Sequence, residues 1–280
     1  MFPSLQGKHF FLGIGAQKAG TSWLHSYLAS HPEVFTPAVK EMHVFDLRYM
    51  GRENAEKVLA RRLRRLVHGI EKGRPLVDHN YAAGMKAAEK LAMIADSKFY
   101  LQHFAERVRE ERVFGEITPS YALLPEAALT EIMALHPPMK FIFIMRDPIK
   151  RAWSQVNMVM NEAPAAEQVE KFLNHTAATD LFIRGNYALP VGNLDKLCRP
   201  QDVLFLFYET LFCDESAIEI CKFLGIEYRP PDSKTVINAG SYKSGDMPMS
   251  DRIVEMYRPV YRFCRERFGA GVPASWTIAD

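Results

Sequence analysis

The sequence predicts an α/β fold of three layers, in which a central parallel β-sheet is flanked by helices. Three short apolar runs are each followed by a segment with helical periodicity, and such alternation of strands and helices is typical of a parallel sheet. The first run also ends in a glycine-rich turn that opens directly into its helix. A strand, a glycine turn and a helix in this order indicate a fold of the P-loop type.

The first strand is predicted at residues 10–14 (FFLGI). Apolar side chains then recur at helical spacing over residues 21–30, which predicts the first helix. His31 and Pro32 end this helix, because the residue before a proline disfavours the helical conformation.

Two further strands are predicted at residues 141–145 (FIFIM) and 203–207 (VLFLF). Uniformly apolar runs of this length suit strands that are buried on both faces of a parallel sheet. Helices are predicted after them at residues 149–161 and 216–224, and Gly225 ends the second of these helices.

The segments between these units read mainly as helices. A basic amphipathic helix is predicted at residues 52–72, and one or two helices are predicted at 86–111 with a break near Asp96. Residues 160–190 are predicted to form a helical insertion. Because no repeat, low-complexity tract or linker divides the sequence, a single domain over residues 1–280 is expected.

The composition excludes several classes of protein. Hydrophobic residues make up 48% and charged residues 24% of the chain, which is typical of a globular protein. The 35 Lys and Arg against 33 Asp and Glu leave too small an excess for a nucleic-acid binder dominated by phosphate contacts. No apolar run of about 18 residues predicts a membrane span, and the N-terminus lacks a signal-peptide pattern. A cytoplasmic location is therefore expected. The four cysteines show no metal-site spacing, so no metal is expected.

The glycine turn (GAQKAGTS) carries the first chemical signal. Against the P-loop template G-x-x-x-x-G-K-[ST], Gly15, Gly20 and Ser22 fit, but Thr21 stands at the lysine position. A lysine, Lys18, comes three residues earlier. Successive backbone N–H groups at a helix N-terminus bind anions, and a lysine adds a movable positive charge. The turn therefore predicts an anion site whose terminal group is not a metal-bound γ-phosphate.

Two alternatives stay open for this turn. It could connect the strand to the helix without binding a ligand. It could also belong to a kinase that phosphorylates a small molecule with Mg-ATP, although Thr21 does not supply the lysine that such a site uses for the β- and γ-phosphates.

A candidate proton acceptor follows the first helix in the segment KEMHVF. Glu41 lies between Lys40 and Met42, and His43 follows. A carboxylate near an anion site can act as a general base if it reaches the hydroxyl of an acceptor, and Lys40 could orient Glu41 or neutralise charge. The alternative is a solvated Lys-Glu pair beside a packed histidine.

A second phosphate site is predicted where the FIFIM strand ends. Arg146 follows this strand directly, and Ser154 lies on the next helix. Loop residues at the carboxyl end of a parallel strand meet ligands, and an arginine there can bind a phosphate with two hydrogen bonds. The alternative is that Arg146 forms an ion pair with Asp147.

Taken together, these motifs resemble the sulfotransferases that use 3′-phosphoadenylyl sulfate (PAPS). They are most similar to the heparan-sulfate-type glycan sulfotransferases and their bacterial relatives. The similar segments are GIGAQKAGTSWLHSYLASHPEVFTPAVKEMHVFD, GEITPSY, KFIFIMRDPIKRAWSQ and MYRPVYRFCRERFGAGVPASW. The resemblance is strong over residues 9–160 and weaker over residues 185–277.

The resemblance implies in-line transfer of a sulfuryl group from PAPS to a hydroxyl of a carbohydrate or another small hydroxylated acceptor, without a metal. The nucleotide product is 3′-phosphoadenosine 5′-phosphate (PAP). Glu41 is implied as the base with His43 as its backup, and Lys18 as the cation that stabilises the leaving oxygen. The residues implied in donor binding are Lys18, Ala19, Gly20, Thr21, Ser22, Trp23, Arg146, Ser154, Tyr187 and Lys243.

Two positions depart from the family pattern. Ile117 stands where GEITPSY would carry the family's lysine, and Gly245 replaces an arginine in the loop that contains Lys243. A related nucleotide-binding protein that has lost turnover is therefore a further alternative. The motifs leave open the identity of the acceptor, the choice between O- and N-sulfation, and the oligomeric state.

Overall fold

The structure, a computed structural model, describes residues 2–73, 79–160, 177–231 and 251–278. Its centre is a five-stranded sheet in the order β2-β3-β1-β4-β5, and every neighbouring pair of strands is parallel. The strands are β1 (His9–Gly15), β2 (Val34–Phe35), β3 (Val113–Ile117), β4 (Met139–Met145) and β5 (Val203–Phe207). The predicted α/β fold with a central parallel sheet is confirmed.

Helices flank this sheet. They are α1 (Thr21–Ala29), α2 (Phe45–Met50), α3 (Arg52–Glu71), α4 (His79–Ala95), α5 (Ser97–Ala105), α6 (Glu126–Leu135), α7 (Pro148–Met160), α8 (Ala177–Gly185), α9 (Ala188–Leu197), α10 (Asp214–Leu224) and α11 (Asp251–Phe268). Over the described ranges, no helix combines the length and the apolar character that crossing a membrane would need.

The sheet lies at the centre of the hydrophobic core because its inner strands are apolar on both faces. Six of the seven residues of β1 and six of the seven of β4 are buried. Across the pair β1–β3, the rings of Phe10 and Phe114 stack with their centroids 4.8 Å apart. This packing fixes the strand ends from which the loops of the candidate site emerge.

Three of the five strands coincide with the predicted apolar runs, and two were missed. Strand β2 has only two residues, which is too short for a hydrophobic pattern. Strand β3 (VFGEI) carries a glycine and a glutamate, so it does not read as an apolar run, although all five of its residues are buried. A strand that buries a carboxylate needs hydrogen-bond donors from elsewhere in the fold, and these cannot be read from its own sequence.

The helical predictions hold with two corrections, of which the first is that α5 ends at Ala105 rather than near residue 111. The break expected near Asp96 is confirmed, because the Asp96 carboxylate caps α5 by accepting a hydrogen bond of 2.8 Å from the Lys98 N–H. Helix α4, however, begins at His79 rather than at residue 86. Its first turns contain Asn80 and Gly84, which are poor helix formers. Of the predicted insertion, residues 161–176 lie outside the described residues. The single domain over residues 1–280 stays a prediction.

Gly115 is required by the close approach of β3 to β1. A Cβ atom at this position would lie 2.0 Å from the backbone oxygen of Phe11, which cannot move without disturbing the sheet. We therefore expect Gly115→Ala to lower the free energy of unfolding by about 3 kcal/mol, measured by urea denaturation. Gly192→Ala in α9 is the control, because no atom lies within 4 Å of its added Cβ. Equal stability of the two variants would contradict this packing.

The carboxyl ends of four strands lie at one edge of the sheet. Strand β1 leads into the glycine turn, β3 into Thr118, β4 into Arg146 and β5 into Tyr208. In parallel α/β sheets, ligands bind in the crevice outside this edge. The candidate site is therefore built from these loops.

Candidate active site

The glycine turn joins β1 to α1 through a tightly packed backbone. Gly20 has a φ of +87° and immediately precedes the first residue of α1. The positive φ favours glycine, and a Cβ at Gly20 would lie 2.7 Å from the end of the Leu211 side chain, which would have to shift. The first N–H groups of a helix have no intrahelical acceptor and are available to an anion.

Lys18 is a half-buried cation beside other cations. Among the described residues, its ammonium has one hydrogen-bond partner, the sulfur of Met158 at 3.6 Å. Burial, and then the neighbouring charges of Arg146 and Lys40, lowers the pKa of Lys18. A bound anion would relieve this repulsion, so the surroundings of Lys18 suit an anionic ligand.

Lys40 connects the start of α1 to the segment that carries Glu41. Its ammonium donates hydrogen bonds to Thr21 Oγ1 at 3.2 Å and to Ser22 Oγ at 3.1 Å. It also lies 3.0 Å from Glu41 Oε1. The ammonium of Lys40 therefore contacts both the hydroxyls of Thr21 and Ser22, which are predicted to bind the donor, and the carboxylate of the predicted base.

Glu41, His43 and Asp46 form a chain of charged groups. Glu41 Oε2 lies 3.3 Å from His43 Nε2, and Asp46 Oδ2 lies 2.6 Å from His43 Nδ1. The Ser120 hydroxyl donates a hydrogen bond of 2.5 Å to the same Asp46 oxygen. Because each nitrogen of the His43 ring faces a carboxylate, the protonated ring satisfies both contacts.

The charge states of this chain follow from its hydrogen bonds. The bond from His43, and then the bond from Lys40, lowers the pKa of Glu41 to about 2 against the opposing effect of burial. The bonds to Asp46 and then to Glu41 raise the pKa of His43 to about 9. At neutral pH, Glu41 is therefore a carboxylate and His43 an imidazolium. The proton-accepting form of Glu41 is fully populated.

This assignment predicts a pH dependence of stability. His43 keeps its proton up to a pH of about 9 in the folded chain but releases it near its ordinary value of 6.5 when unfolded. Its contribution is therefore complete below pH 6.5 and is lost as the pH rises to about 9. Urea unfolding of the wild type and of His43→Gln at both ends of this range should show a steeper alkaline loss for the wild type. Parallel pH curves would mean that His43 is neutral in the fold.

Arg146 extends from the end of β4 to the glycine turn. Its Nη1 donates a hydrogen bond of 3.0 Å to the backbone oxygen of Lys18, and its guanidinium lies 4.3 Å from the centre of the Tyr208 ring. Within the described chain, its buried Nε has no hydrogen-bond partner. An unpartnered buried donor on a guanidinium fits a phosphate ligand.

Asp147 does not pair with the Arg146 side chain in the described structure. Its Oδ1 instead accepts hydrogen bonds of 3.0 Å from the N–H groups of Ile149 and Lys150 at the start of α7. The same oxygen accepts one of 2.8 Å from the Tyr261 hydroxyl. The aspartate therefore caps a helix, and the ion pair considered as the alternative does not occupy the guanidinium.

The other residues predicted to bind the donor differ in burial and in their contacts with Arg146. The buried Tyr187 hydroxyl accepts a hydrogen bond of 3.2 Å from the Arg146 N–H and donates one of 2.6 Å to the Arg146 oxygen. Trp23 is buried and stacks on Tyr27, with ring centroids 5.4 Å apart. Ser154 is half-buried on α7, and Ala19 is fully buried. Lys243 lies outside the described residues.

Sequence reasoning missed three residues of the site. Asp46 lies three residues after His43, a spacing that could have indicated their contact on one turn. Tyr208 directly follows an apolar strand, which is the same signal from which Arg146 was predicted. Ser120 belongs to GEITPSY and carries no signal of its own.

In the same motif, Ile117 is fully buried, and a Cβ on Gly13 would lie 2.6 Å from it. Its side chain therefore packs in the core, and its backbone oxygen accepts a hydrogen bond of 3.2 Å from the Glu41 N–H.

Comparisons with known proteins agree on one family. The profile of the sulfotransferase family matches residues 11–230. A curated relative, the "Membrane-associated sulfotransferase kil1" of Dictyostelium discoideum, is 25% identical over 185 residues. This match covers 63% of the chain but only 30% of the relative, so the chain spans less than a third of that protein.

Solved structures show the same fold. A sulfotransferase from Alicyclobacillus acidocaldarius superposes with a TM-score of 0.63 at 21% identity, covering 96% of this chain and 98% of the other. The sulfotransferase domain from the curacin biosynthetic pathway gives a TM-score of 0.51 at 18% identity, covering 80% and 76%.

Proposed function

The chain belongs to the sulfotransferase family, and we propose that it transfers a sulfuryl group from PAPS to a hydroxyl of a carbohydrate or another small hydroxylated acceptor. The observation that carries the proposal is the hydrogen bond of 3.0 Å between Arg146 Nη1 and the Lys18 oxygen. It brings the two predicted phosphate-binding loops together at one edge of the sheet. PAPS carries a 3′-phosphate and a 5′-phosphosulfate on one ribose, so it needs two such loops side by side.

The residues present fit this donor. Lys18 and Lys40 supply positive charge beside the N-terminus of α1, where the 5′-phosphosulfate would be held. Arg146, with its unpartnered Nε, would hold the 3′-phosphate. Tyr187 serves this second site by fixing both backbone groups of Arg146. Ser154 and Lys243 remain proposed contacts.

The acceptor side rests on Glu41. Its carboxylate takes the proton of the acceptor hydroxyl as that oxygen bonds to sulfur. A carboxylate with a low pKa accepts this proton late, because the acceptor hydroxyl becomes acidic only once its bond to sulfur has begun to form. His43 and Asp46 hold Glu41 in place and balance its charge.

Lys18 acts on the leaving side. When bound, PAPS supplies the sulfuryl group, and the bond that breaks joins its sulfur to the bridging oxygen of the 5′-phosphate. The Lys18 ammonium stabilises the negative charge that develops on this oxygen, which leaves with PAP. One acceptor O–H is replaced by one sulfate ester, and the proton goes to Glu41.

The acceptor class rests on sequence similarity. The segments around Glu41 and Arg146 resemble those of glycan sulfotransferases, and this resemblance supports a carbohydrate. The cytoplasmic location stays a prediction, and the match to kil1 concerns a protein described as membrane-associated.

Transfer of label tests the proposal. The protein would be incubated with PAPS radiolabelled in its sulfate group and with mono- and oligosaccharides, phenols and aliphatic alcohols. We expect a labelled ester and one PAP for each ester formed. Binding of PAPS without PAP release for any acceptor would favour the inactive nucleotide-binding protein. Transfer of the γ-phosphate of Mg-ATP to the same acceptors would favour the kinase.

A further inference from the structure

A carboxylate that the proposed mechanism does not use lies directly behind the Glu41 segment. Glu116 is on β3 and only 2% exposed. Four groups donate hydrogen bonds to it: the Met42 N–H at 3.0 Å, the Tyr100 hydroxyl at 2.8 Å, the Thr118 hydroxyl at 2.6 Å and the Tyr121 hydroxyl at 3.0 Å. An ionised carboxylate only accepts hydrogen bonds, so four donors match the ionised form.

The four donors offset only part of the cost of burying Glu116. Burial raises the pKa of Glu116 above its ordinary value, and the hydrogen bonds from Thr118, Tyr100, Met42 and Tyr121 lower it only in part. A buried carboxylate is tolerated only when its lone pairs are satisfied. Three of the donors are uncharged side-chain hydroxyls. The fourth is a backbone N–H of the segment that carries the proposed base.

That segment has an unusual backbone. Glu41 has a φ of +64° and His43 a φ of +50°, both in the left-handed region that residues other than glycine rarely adopt. Met42 lies between them, and its N–H is the group bound to Glu116 Oε2. Such conformations persist when the surrounding structure over-determines them. Glu116 supplies one such constraint directly.

Tyr121 supplies further constraints through its hydroxyl. This oxygen donates to Glu116 Oε1 and accepts hydrogen bonds from the N–H groups of Val44 at 3.0 Å and Phe45 at 3.4 Å. Tyr100 donates to the same oxygen of Glu116, and its hydroxyl accepts no hydrogen bond from the segment in the described structure. The two buried tyrosines therefore differ in their connection to residues 41–45.

We propose that Glu116 is a positioning residue, which holds residues 41–45 so that Glu41 and His43 keep the geometry needed for transfer. It acts through the Met42 N–H directly and through the Tyr121 hydroxyl on Val44 and Phe45. The inference rests on the proposed function, because a positioning role for Glu116 affects transfer only if Glu41 is the base. Glu116 itself does not touch the reacting atoms.

Two matched substitutions test this role. Tyr121→Phe and Tyr100→Phe each remove one hydrogen bond to Glu116 and keep the buried ring, but only the first releases the segment. We expect Tyr121→Phe to lower kcat by about tenfold, with the KM for PAPS and the Kd for PAP unchanged. Tyr100→Phe should leave kcat within about twofold and lower only the urea concentration at the midpoint of unfolding.

The pH profile of kcat separates positioning from simple stability. If the segment loosens, Glu41 loses part of its contact with His43, and the pKa of Glu41 moves up from about 2 towards its ordinary 4.5. The acid limb of the profile should therefore shift upwards in Tyr121→Phe and stay in place in Tyr100→Phe. Glu116→Gln should show the same shift with a larger loss of kcat, because its amide NH₂ faces donors that need an acceptor.

The results of these experiments separate the positioning role of Glu116 from the proposed function. Equal kcat losses in the two tyrosine variants, or an unmoved acid limb in Tyr121→Phe, would overturn the positioning role. If Glu116→Gln does not fold, the tyrosine pair still tests the constraint that runs through the Tyr121 hydroxyl. Glu41→Gln is assayed in parallel: if it keeps full transfer, the proposed base is wrong and the positioning role falls with it. If Glu41→Gln is inactive and only the tyrosine result fails, the proposed function stands alone.

Discussion

Glu41→Gln is expected to lower the rate of sulfuryl transfer by about a thousandfold while leaving the affinity for PAP nearly unchanged. Glutamine keeps the shape of the side chain and can still accept a hydrogen bond from Lys40, which lies 3.0 Å from Glu41 Oε1 in the wild type. It cannot take a proton from the acceptor hydroxyl at neutral pH. The rate is measured by label transfer at saturating PAPS, and the affinity by calorimetry with PAP.

The control for this substitution is Glu126→Gln. Glu126 is an exposed carboxylate on α6 that pairs with Lys196 at 2.5 Å and does not contact the site. It should retain wild-type turnover. Intact turnover in Glu41→Gln would remove Glu41 as the base and move the assignment to His43, which would then have to act in its neutral form.

Arg146→Ala is expected to weaken binding of PAP by about 10- to 100-fold and binding of 5′-AMP far less. The two nucleotides differ in the 3′-phosphate that Arg146 is proposed to hold. The guanidinium also contacts the Lys18 oxygen, so its loss can disturb the glycine turn and affect both ligands. The informative quantity is therefore the ratio of the two affinities, measured by calorimetry.

Lys150→Ala is the matched control for this loss of charge. Lys150 is an exposed cation in the first turn of α7, and its contact to Asp147 is made by its backbone N–H, which the substitution retains. It should change neither affinity appreciably. Equal weakening of PAP and 5′-AMP in Arg146→Ala would show that Arg146 only supports the turn.

The sheet could be predicted as far as its strands are uniformly apolar. Strands β1 and β4 are almost wholly buried, and their apolar sequences alone indicate them. The apolar run of β5 also predicted a strand, but β5 lies at the edge of the sheet and alternates buried with half-buried residues, so it is not buried on both faces as expected. Strand β3 is equally buried, but it contains Glu116, whose burial depends on donors from α5, from the segment after β3 and from residue 42. These hydrogen bonds to the buried carboxylate depend on the folded structure, and the sequence of β3 shows no hydrophobic periodicity that would indicate them.

The candidate site shows the same division. Lys18, Glu41, His43 and Arg146 were predicted because each follows a strand or helix end in a motif with chemical meaning, and the structure brings Arg146 to the backbone of Lys18. The sequence could not choose between a phosphate-binding Arg146 and an ion pair with Asp147. That choice depends on the carboxylate's helix-capping contacts and on Tyr261, more than a hundred residues away.

Aromatic residues were the least predictable from the sequence. Trp23 and Tyr187 were both expected to contact the donor. Trp23 is packed against Tyr27 and Phe212, and Tyr187 is fully enclosed against the Arg146 backbone and Phe143. A motif identifies the residue type at a position, but whether its ring faces a ligand or the core depends on the helices that cover it.

Calorimetry with PAP, run beside 5′-AMP and Mg-ATP, tests the central claim most directly. The claim is that the loops of Lys18 and Arg146 together hold a nucleotide with phosphates at both its 3′ and 5′ positions. We expect PAP to bind far more tightly than the other two, because it alone engages both loops. Tighter binding of Mg-ATP than of PAP would contradict the account and place a phosphate-transferring enzyme first.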